Sequence, residues 1–163
     1  MIGKLSKQEV ILRRAKESDA EKILDLLLRL KRLNEEFDPL YKVAEDASTV
    51  GIKYVRDAIN SDDCLVVVAQ HGTKIVGVIK VDFRKRIFYE PRSDAHIVDL
   101  YVMPEYRRNK YGQKLIDYVM KEAKDHGGIV TVEFPSANKI STDFYEKLGF
   151  RPILNTYVRH PVE

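Results

Sequence analysis

The chain has 163 residues, 44% hydrophobic and 33% charged, with a net charge of only +3. That is about one domain of sequence with enough apolar residues for a core, and its charge is too balanced for a dedicated nucleic-acid binder. The single cysteine, Cys64, excludes a disulfide framework and a Cys/His zinc pattern, while the absence of an apolar signal core and of any run near ~18 apolar residues predicts a soluble cytoplasmic protein with no membrane partner.

In chain order, residues 10–16 (VILRRAK) read as a first strand. A helix follows, with Ser18 or Asp19 as N-cap. Its Ile23, Leu26, Leu27, Leu30, Leu33 and Phe37 recur at helical spacing, and Asp38-Pro39 ends it. Residues 46–60 predict a second, less regular helix. CLVVVAQ (64–70) is a buried strand, HGTK a turn, and residues 74–86 a longer strand. Residues 84–93 are basic and turn-rich, and DAHIVDLYV (94–102) is the next strand. A helix over 111–126 turns Leu115, Ile116, Val119, Met120 and Ala123 inward and stops at Gly127-Gly128. IVTVEF (129–134) is a strand, 138–148 a short helix closed by Gly149, and two short strands over 150–154 and 156–160 finish the chain. One unit, residues 1–163, accounts for everything, without repeat or long linker.

The most informative stretch is DLYVMPEYRRNKYGQ (99–113). An apolar strand breaks at Pro104, passes a loop carrying Arg107, Arg108 and Lys110, and enters a helix at Gly112 with Lys114 just beyond. Unpaired N–H groups and the dipole at a helix start attract an anion, so strand, basic loop and helix N-terminus form a phosphate cradle. No Gly-Lys-Ser/Thr occurs, so this is not a Walker loop.

The stretch resembles the acyl-CoA pyrophosphate loop of the GNAT superfamily of N-acetyltransferases. Val102, Pro104, Arg107 and Gly112 fit the family pattern, and Lys110 stands where its first glycine is expected. A second motif carries the stronger likeness. Asn138, Ser141, Tyr145, Gly149 and Phe150 fall at the family's spacing after the fifth strand, with Ser141 in place of alanine. The likeness extends along nearly the whole chain. It implies an α/β GNAT fold, a twisted mixed sheet of about seven strands with helices on both faces.

The resemblance implies acetyl transfer from acetyl-CoA to a primary amine of a small molecule, polyamine or protein, with no metal. Leu100, Tyr101, Val102, Arg107, Arg108, Asn109, Lys110, Tyr111, Gly112, Gln113, Asn138, Ser141 and Tyr145 are then the candidate cofactor-binding residues. A backbone N–H near Tyr101 or Val102 would meet the developing oxyanion. An alkylammonium with pKa about 10.4 must lose a proton before it attacks, and Glu133, His96 and Asp99 are the candidate bases. Glu133 matches the spacing of the ribosomal-protein N-terminal acetyltransferase branch. Asp99 has opposite strand parity to His96 and faces the other way unless a bulge intervenes. Tyr145 is the candidate acid or thiolate donor.

The acceptor is less legible. Arg84, Lys85, Arg86 and Arg92 read as a solvated hairpin tip or a site for an acidic acceptor. Glu35, Glu36, Asp38, Glu45 and Asp46 form an acidic cluster that a polyamine or lysine would suit. Two other classes stay open: a CoA-binding regulatory or degenerate GNAT domain without turnover, and a nucleic-acid module using the two basic segments. The expected partners are acetyl-CoA and an amine, not nucleic acid, with the chain a monomer or homodimer.

Overall fold

The structure is a computed structural model that describes residues 10–126 and 128–162. Five strands form one sheet in sequential order: β1 (Val10–Arg14), β2 (Cys64–His71), β3 (Lys74–Lys85), β4 (Ser93–Val102) and β5 (Ile129–Val132). β1 to β4 pair antiparallel, and β5 joins β4 in parallel after a helical crossover. Val67, Val68, Val78 and Ile79, in the middle of β2 and β3, have no exposed surface. Each such side chain contributes roughly 1.5–3 kcal/mol by leaving water.

Helices α1 (Ala20–Glu35) and α2 (Ala47–Ile59) lie on one face. α3 (Tyr111–Asp125) lies on the other, and α4 (Lys139–Lys147) follows β5. α1 buries Ile23, Leu26 and Leu27, and α3 buries Leu115, Ile116, Val119 and Ala123. Met120, expected inward, is exposed because one helical step beyond Val119 turns it about 100° away. Asp19 precedes α1 without capping it. Its carboxylate instead accepts from Arg13 at 2.7 and 3.0 Å and from the Lys16 N–H at 2.8 Å.

α4 is closed at both ends by its own sequence. The Asn138 side-chain oxygen accepts from the Ser141 N–H at 3.0 Å. At the other end Gly149 adopts φ 89°, which lets the Phe150 N–H return to Tyr145 O and the Gly149 N–H to Glu146 O, both at 3.0 Å.

The sheet has five strands where about seven are expected. Residues 151–162 leave the body after Phe150, are exposed throughout, and make no backbone hydrogen bond to the other described residues. Without ladder partners the expected strands over 150–154 and 156–160 do not form. Residues 1–9 and 163 of the expected single unit, and Gly127 of the expected helix stop, lie outside the described residues.

Candidate active site

β4 and β5 pair only from Asp94–Ile129 to Ile97–Val132. Beyond that point they separate, and the Glu133 N–H to Ile97 O contact at 3.3 Å marks the fork. A cleft opens there. Ile97, Val98 and Leu100 form one wall, and Val132, Glu133 and Phe134 the other. Asn138, Ser141 and Tyr145 from the α4 region complete it, with Leu30 and Asn34 of α1 at one side. The separated strands leave the backbone of residues 98–102 without a neighbour on the β5 side, so an extended ligand carrying amides can pair there.

A bulge decides which side chains share a face. Lys80 pairs with Asp99 while Val81 pairs with Ile97, so Val98 is an extra residue in β4. The bulge reverses the parity that separates His96 from Asp99, and both lie on the α1/α2 face with Lys80 and Asp82. Asp99 is nonetheless committed elsewhere. It is buried, paired with Lys31 at 2.5 Å, and accepts from the Tyr54 hydroxyl at 3.2 Å. Tyr54 in turn lies under the Lys80 ammonium, 4.6 Å from its ring centre, and burial pushes its phenol up to about 12.

His96 and Glu133, two separate candidates by sequence, meet: Nε2 is 2.8 Å from Oε1. His96 Nδ1 is 2.7 Å from Thr131 Oγ1, which lies 2.6 Å from Asp94 Oδ1. Asp94 is also held by Arg84 through Nε at 3.1 Å and a second guanidinium nitrogen. Donor arithmetic fixes the protons. A carboxylate accepts only, so the single Thr131 hydroxyl proton goes to Asp94. Thr131 Oγ1 must then accept from Nδ1–H, which assigns that proton to His96. Nε2 and Oε1 stand within hydrogen-bond distance, so a proton placed between them is shared by the two groups.

Tyr145 lies parallel to Phe134 at 5.3 Å and edge-on to Phe144 and Phe150 at 5.1 and 5.4 Å. Among the described residues no group hydrogen-bonds its hydroxyl, which is not sealed from solvent, and Tyr145 lies on the cleft wall. Burial holds its pKa well above the ordinary tyrosine value, so it stays a neutral donor. Asn138 spends its oxygen on the α4 cap, and its Nδ2–H₂ group remains as a donor at the same cleft.

The basic loop folds as a 3-10 turn, Pro104–Asn109, and Lys110 joins it to α3 at φ 60°, ψ 26°. The residue standing for the usual glycine therefore takes a left-handed conformation, which costs a non-glycine residue about 1–2 kcal/mol. No side chain caps α3, unlike α4, and its first intrahelical N–H bond is Lys114 to Lys110 O. The N–H groups of Tyr111, Gly112 and Gln113 are thus unspent at a terminus flanked by Arg108, Asn109 and Lys110, all exposed. Two expected ligands act otherwise through their side chains. Arg107 donates to Val102 O at 3.0 Å and lies over the Tyr101 ring, tying loop to strand. The Tyr111 side chain is buried against His71, 2.7 Å from its hydroxyl, so only its N–H faces the loop.

Three of the four turn cations are spent at home. Arg84 holds Asp94, Arg86 donates to Pro91 O, and Arg92 pairs with Glu90. In the acidic cluster Glu35 accepts from the Val43 N–H and Asp38 from Leu40. Sequence reasoning missed Asp94, Thr131, Lys31 and Tyr54. Period-2 spacing from His96 and Glu133 points to the first two. Nothing local points to Lys31 or Tyr54, which reach β4 from distant helices. Among the described residues no cluster of His, Cys, Asp and Glu is arranged to hold a metal, and no helix is long and apolar enough to cross a membrane.

A forked β4–β5 pair, an uncapped helix start and a tyrosine-lined cleft define the acetyl-CoA-dependent acetyltransferase class. Residues 20–150 match the model of the acetyltransferase (GNAT) family, and the chain belongs to that family. The ribosomal-protein branch is not singled out. An acetyltransferase of Trypanosoma brucei is similar over 94% of this chain and 100% of its own, at 26% identity and TM-score 0.70. An aminoglycoside N-acetyltransferase solved with CoA is similar over 94% of this chain and 95% of its own, at 13% identity and TM-score 0.75. An aminoglycoside acetyltransferase from an uncultured soil sample, solved with trehalose, covers 93% and 97% at 20% identity and TM-score 0.69. At those two identities the likeness is one of fold. Comparison with curated protein sequences gives no significant match.

Proposed function

We propose that the protein transfers the acetyl group of acetyl-CoA to a primary amine by direct attack within the β4–β5 cleft. The observation that carries this reading is the convergence of Glu133, Tyr145 and Asn138 on one cleft that opens where the strands fork. Acetyl-CoA fits the residues present. The bare N–H groups of Tyr111, Gly112 and Gln113, with Arg108, Asn109 and Lys110, would hold the pyrophosphate. The backbone of Leu100 and the Val102 N–H, beside Tyr101, would pair with the pantetheine amides, and Asn138 Nδ2 would donate to a carbonyl. Ser141 lines the same passage. A backbone N–H of the bulged β4 segment would stabilise the oxyanion by about 3–4 kcal/mol.

Glu133, with its side chain 62% exposed at the cleft, takes the ammonium proton. His96 Nε2 shares it, while Thr131 and Asp94 hold the Nδ1 proton in place. The neutral amine then attacks the thioester carbon, forming the C–N bond. Collapse breaks the C–S bond, and Tyr145 donates a hydrogen bond to the sulfur as it leaves as a thiolate. The attacking nitrogen passes its extra proton through solvent to that departing sulfur. Full transfer from an ordinary tyrosine to a thiol of pKa near 8.5 is uphill by about 2 kcal/mol. Burial raises that cost, so Tyr145 acts as a hydrogen-bond donor to the thiolate. Asp99, neutralised by Lys31, serves to position β4.

The test is thiol release from acetyl-CoA against polyamines, amino acids, aminoglycosides and peptide N-termini. Release with at least one amine, lost in Glu133→Gln, is expected. CoA binding without release from any amine would move the chain to the non-catalytic reading.

A further inference from the structure

His71, the last residue of β2, belongs to neither sequence motif, yet it touches the chain on both sides of Lys110. Its ring lies 5.2 Å from that of Tyr106, in the 3-10 turn before Lys110. It lies 6.3 Å from that of Tyr111, the first residue of α3, and its Nδ1 is 2.7 Å from the Tyr111 hydroxyl. The two tyrosine rings meet edge to face at 5.9 Å. One imidazole from a different strand thus brackets the joint between loop and helix.

The joint needs such a bracket. Lys110 is left-handed at φ 60°, a conformation that a non-glycine residue keeps only where its surroundings over-determine it. Lys110 is itself exposed, so the constraint comes from its neighbours. On the β4 side Arg107 ties the turn to Val102 O. On the α3 side Tyr111 is 1% exposed, and among the described residues His71 is the one partner of its hydroxyl. A buried hydroxyl with a single partner is costly to orphan. Without the imidazole nitrogen the Tyr111 ring must move toward water, and the Tyr111 backbone carries the first of the free N–H groups at the start of α3.

We propose that His71 is a positioning residue for the acyl-CoA site: through the Tyr111 hydroxyl it holds the left-handed joint and so aims the N–H groups of residues 111–113 at the pyrophosphate. The inference rests on the reading of this helix start as the pyrophosphate site, and adds to it a β2 residue that touches no substrate. Donors already held in place bind an anion without a further ordering cost. Losing the bracket therefore weakens CoA binding and spares the chemical step.

The test compares the native chain with His71→Leu, His71→Asn, Tyr111→Phe and the double variant H71L/Y111F, each checked for native circular dichroism. Leucine removes the ring nitrogen. Asparagine puts an amide on Cγ, where Nδ1 stands, and can donate or accept there. Calorimetry with CoA should show binding at least about tenfold weaker in H71L and less than about threefold weaker in H71N. With an amine that releases thiol, KM for acetyl-CoA should rise in H71L while kcat stays within about twofold. Adding H71L to Y111F should change CoA affinity less than about threefold, because the hydroxyl through which His71 acts is already gone. Without ligand, exchange of the Lys114 N–H, which closes the first turn of α3 on Lys110 O, should be at least about tenfold faster in H71L, with β3 amides unchanged. Native CoA affinity in H71L overturns the proposal, even where the melting temperature falls. So does a loss that H71N shares, a loss that persists in full on the Y111F background, or unchanged Lys114 exchange. A native chain that binds no CoA overturns the pyrophosphate reading itself and the positioning role with it, whereas equal binding by native chain and H71L overturns the positioning role alone.

Discussion

Replacing Tyr145 by Phe deletes one hydroxyl and keeps the ring. The ring's contacts with Phe134, Phe144 and Phe150, at 5.1 to 5.4 Å, persist. The hydroxyl has no internal partner to lose and is not sealed from water, so the fold's stability should change by less than about 1 kcal/mol. In the reaction the hydroxyl meets a developing thiolate. A hydrogen bond to a charged group contributes roughly 1.5–3 kcal/mol, so kcat should fall about 10- to 150-fold. The affinity for acetyl-CoA, measured by calorimetry, should change less than about threefold, because the interaction grows only as the bond breaks. Linkage gives a second signature. The folded phenol's pKa lies above its unfolded value, so its contribution to stability is full below pH ~10 and is lost as pH rises beyond it. The native protein should therefore lose stability above pH ~10 more steeply than Y145F. Unchanged kcat in a folded Y145F, or a loss confined to acetyl-CoA affinity, would refute the role.

Three further outcomes follow from other parts of the molecule. Gly112→Ala places a methyl 3.4 Å from the Phe144 ring, an ordinary contact, so the melting temperature should rise slightly through about 0.5 kcal/mol of helix propensity. The same methyl stands beside the free N–H groups and should weaken acetyl-CoA binding about fivefold or more; unchanged affinity would remove the pyrophosphate from this helix start. Thr131→Val leaves the Nδ1 proton of His96 without an acceptor. Its ring ¹⁵N shifts should report a mixed tautomer and kcat/KM should fall several-fold, whereas Thr131→Ser keeps both; wild-type ring shifts in T131V would refute the proton assignment. Arg13 holds the Asp19 carboxyl below the usual carboxylate range, so this pair stabilises the fold above pH ~4 and the gain is lost as pH falls through the lowered pKa. Asp19→Asn should therefore lower stability at pH 7 and make acid unfolding shallower, as read by urea titration at several pH values.

The sequence by itself determined most of the local structure. Hydrophobic period placed α1, α3 and the buried β2, and the Asn138 and Gly149 signals bounded α4, because caps and amphipathic stripes depend on residues within one or two turns. It also marked the proposed donor site, since the loop after β4 and the α4 motif are each contiguous. Tertiary structure decided the rest. The extra residue at Val98 brought His96 and Asp99 to one face, and a bulge is defined only by the register against the opposing strand. Lys31 and Tyr54 claimed Asp99 from helices 68 and 45 residues away. The meeting of His96 with Glu133, and with it the proton on Nδ1, exists only because β5 lies parallel to β4 in one register. Residues 151–162 show the same division: their sequence is rich in β-formers, but a strand is completed by a partner edge, and among the described residues none pairs with them.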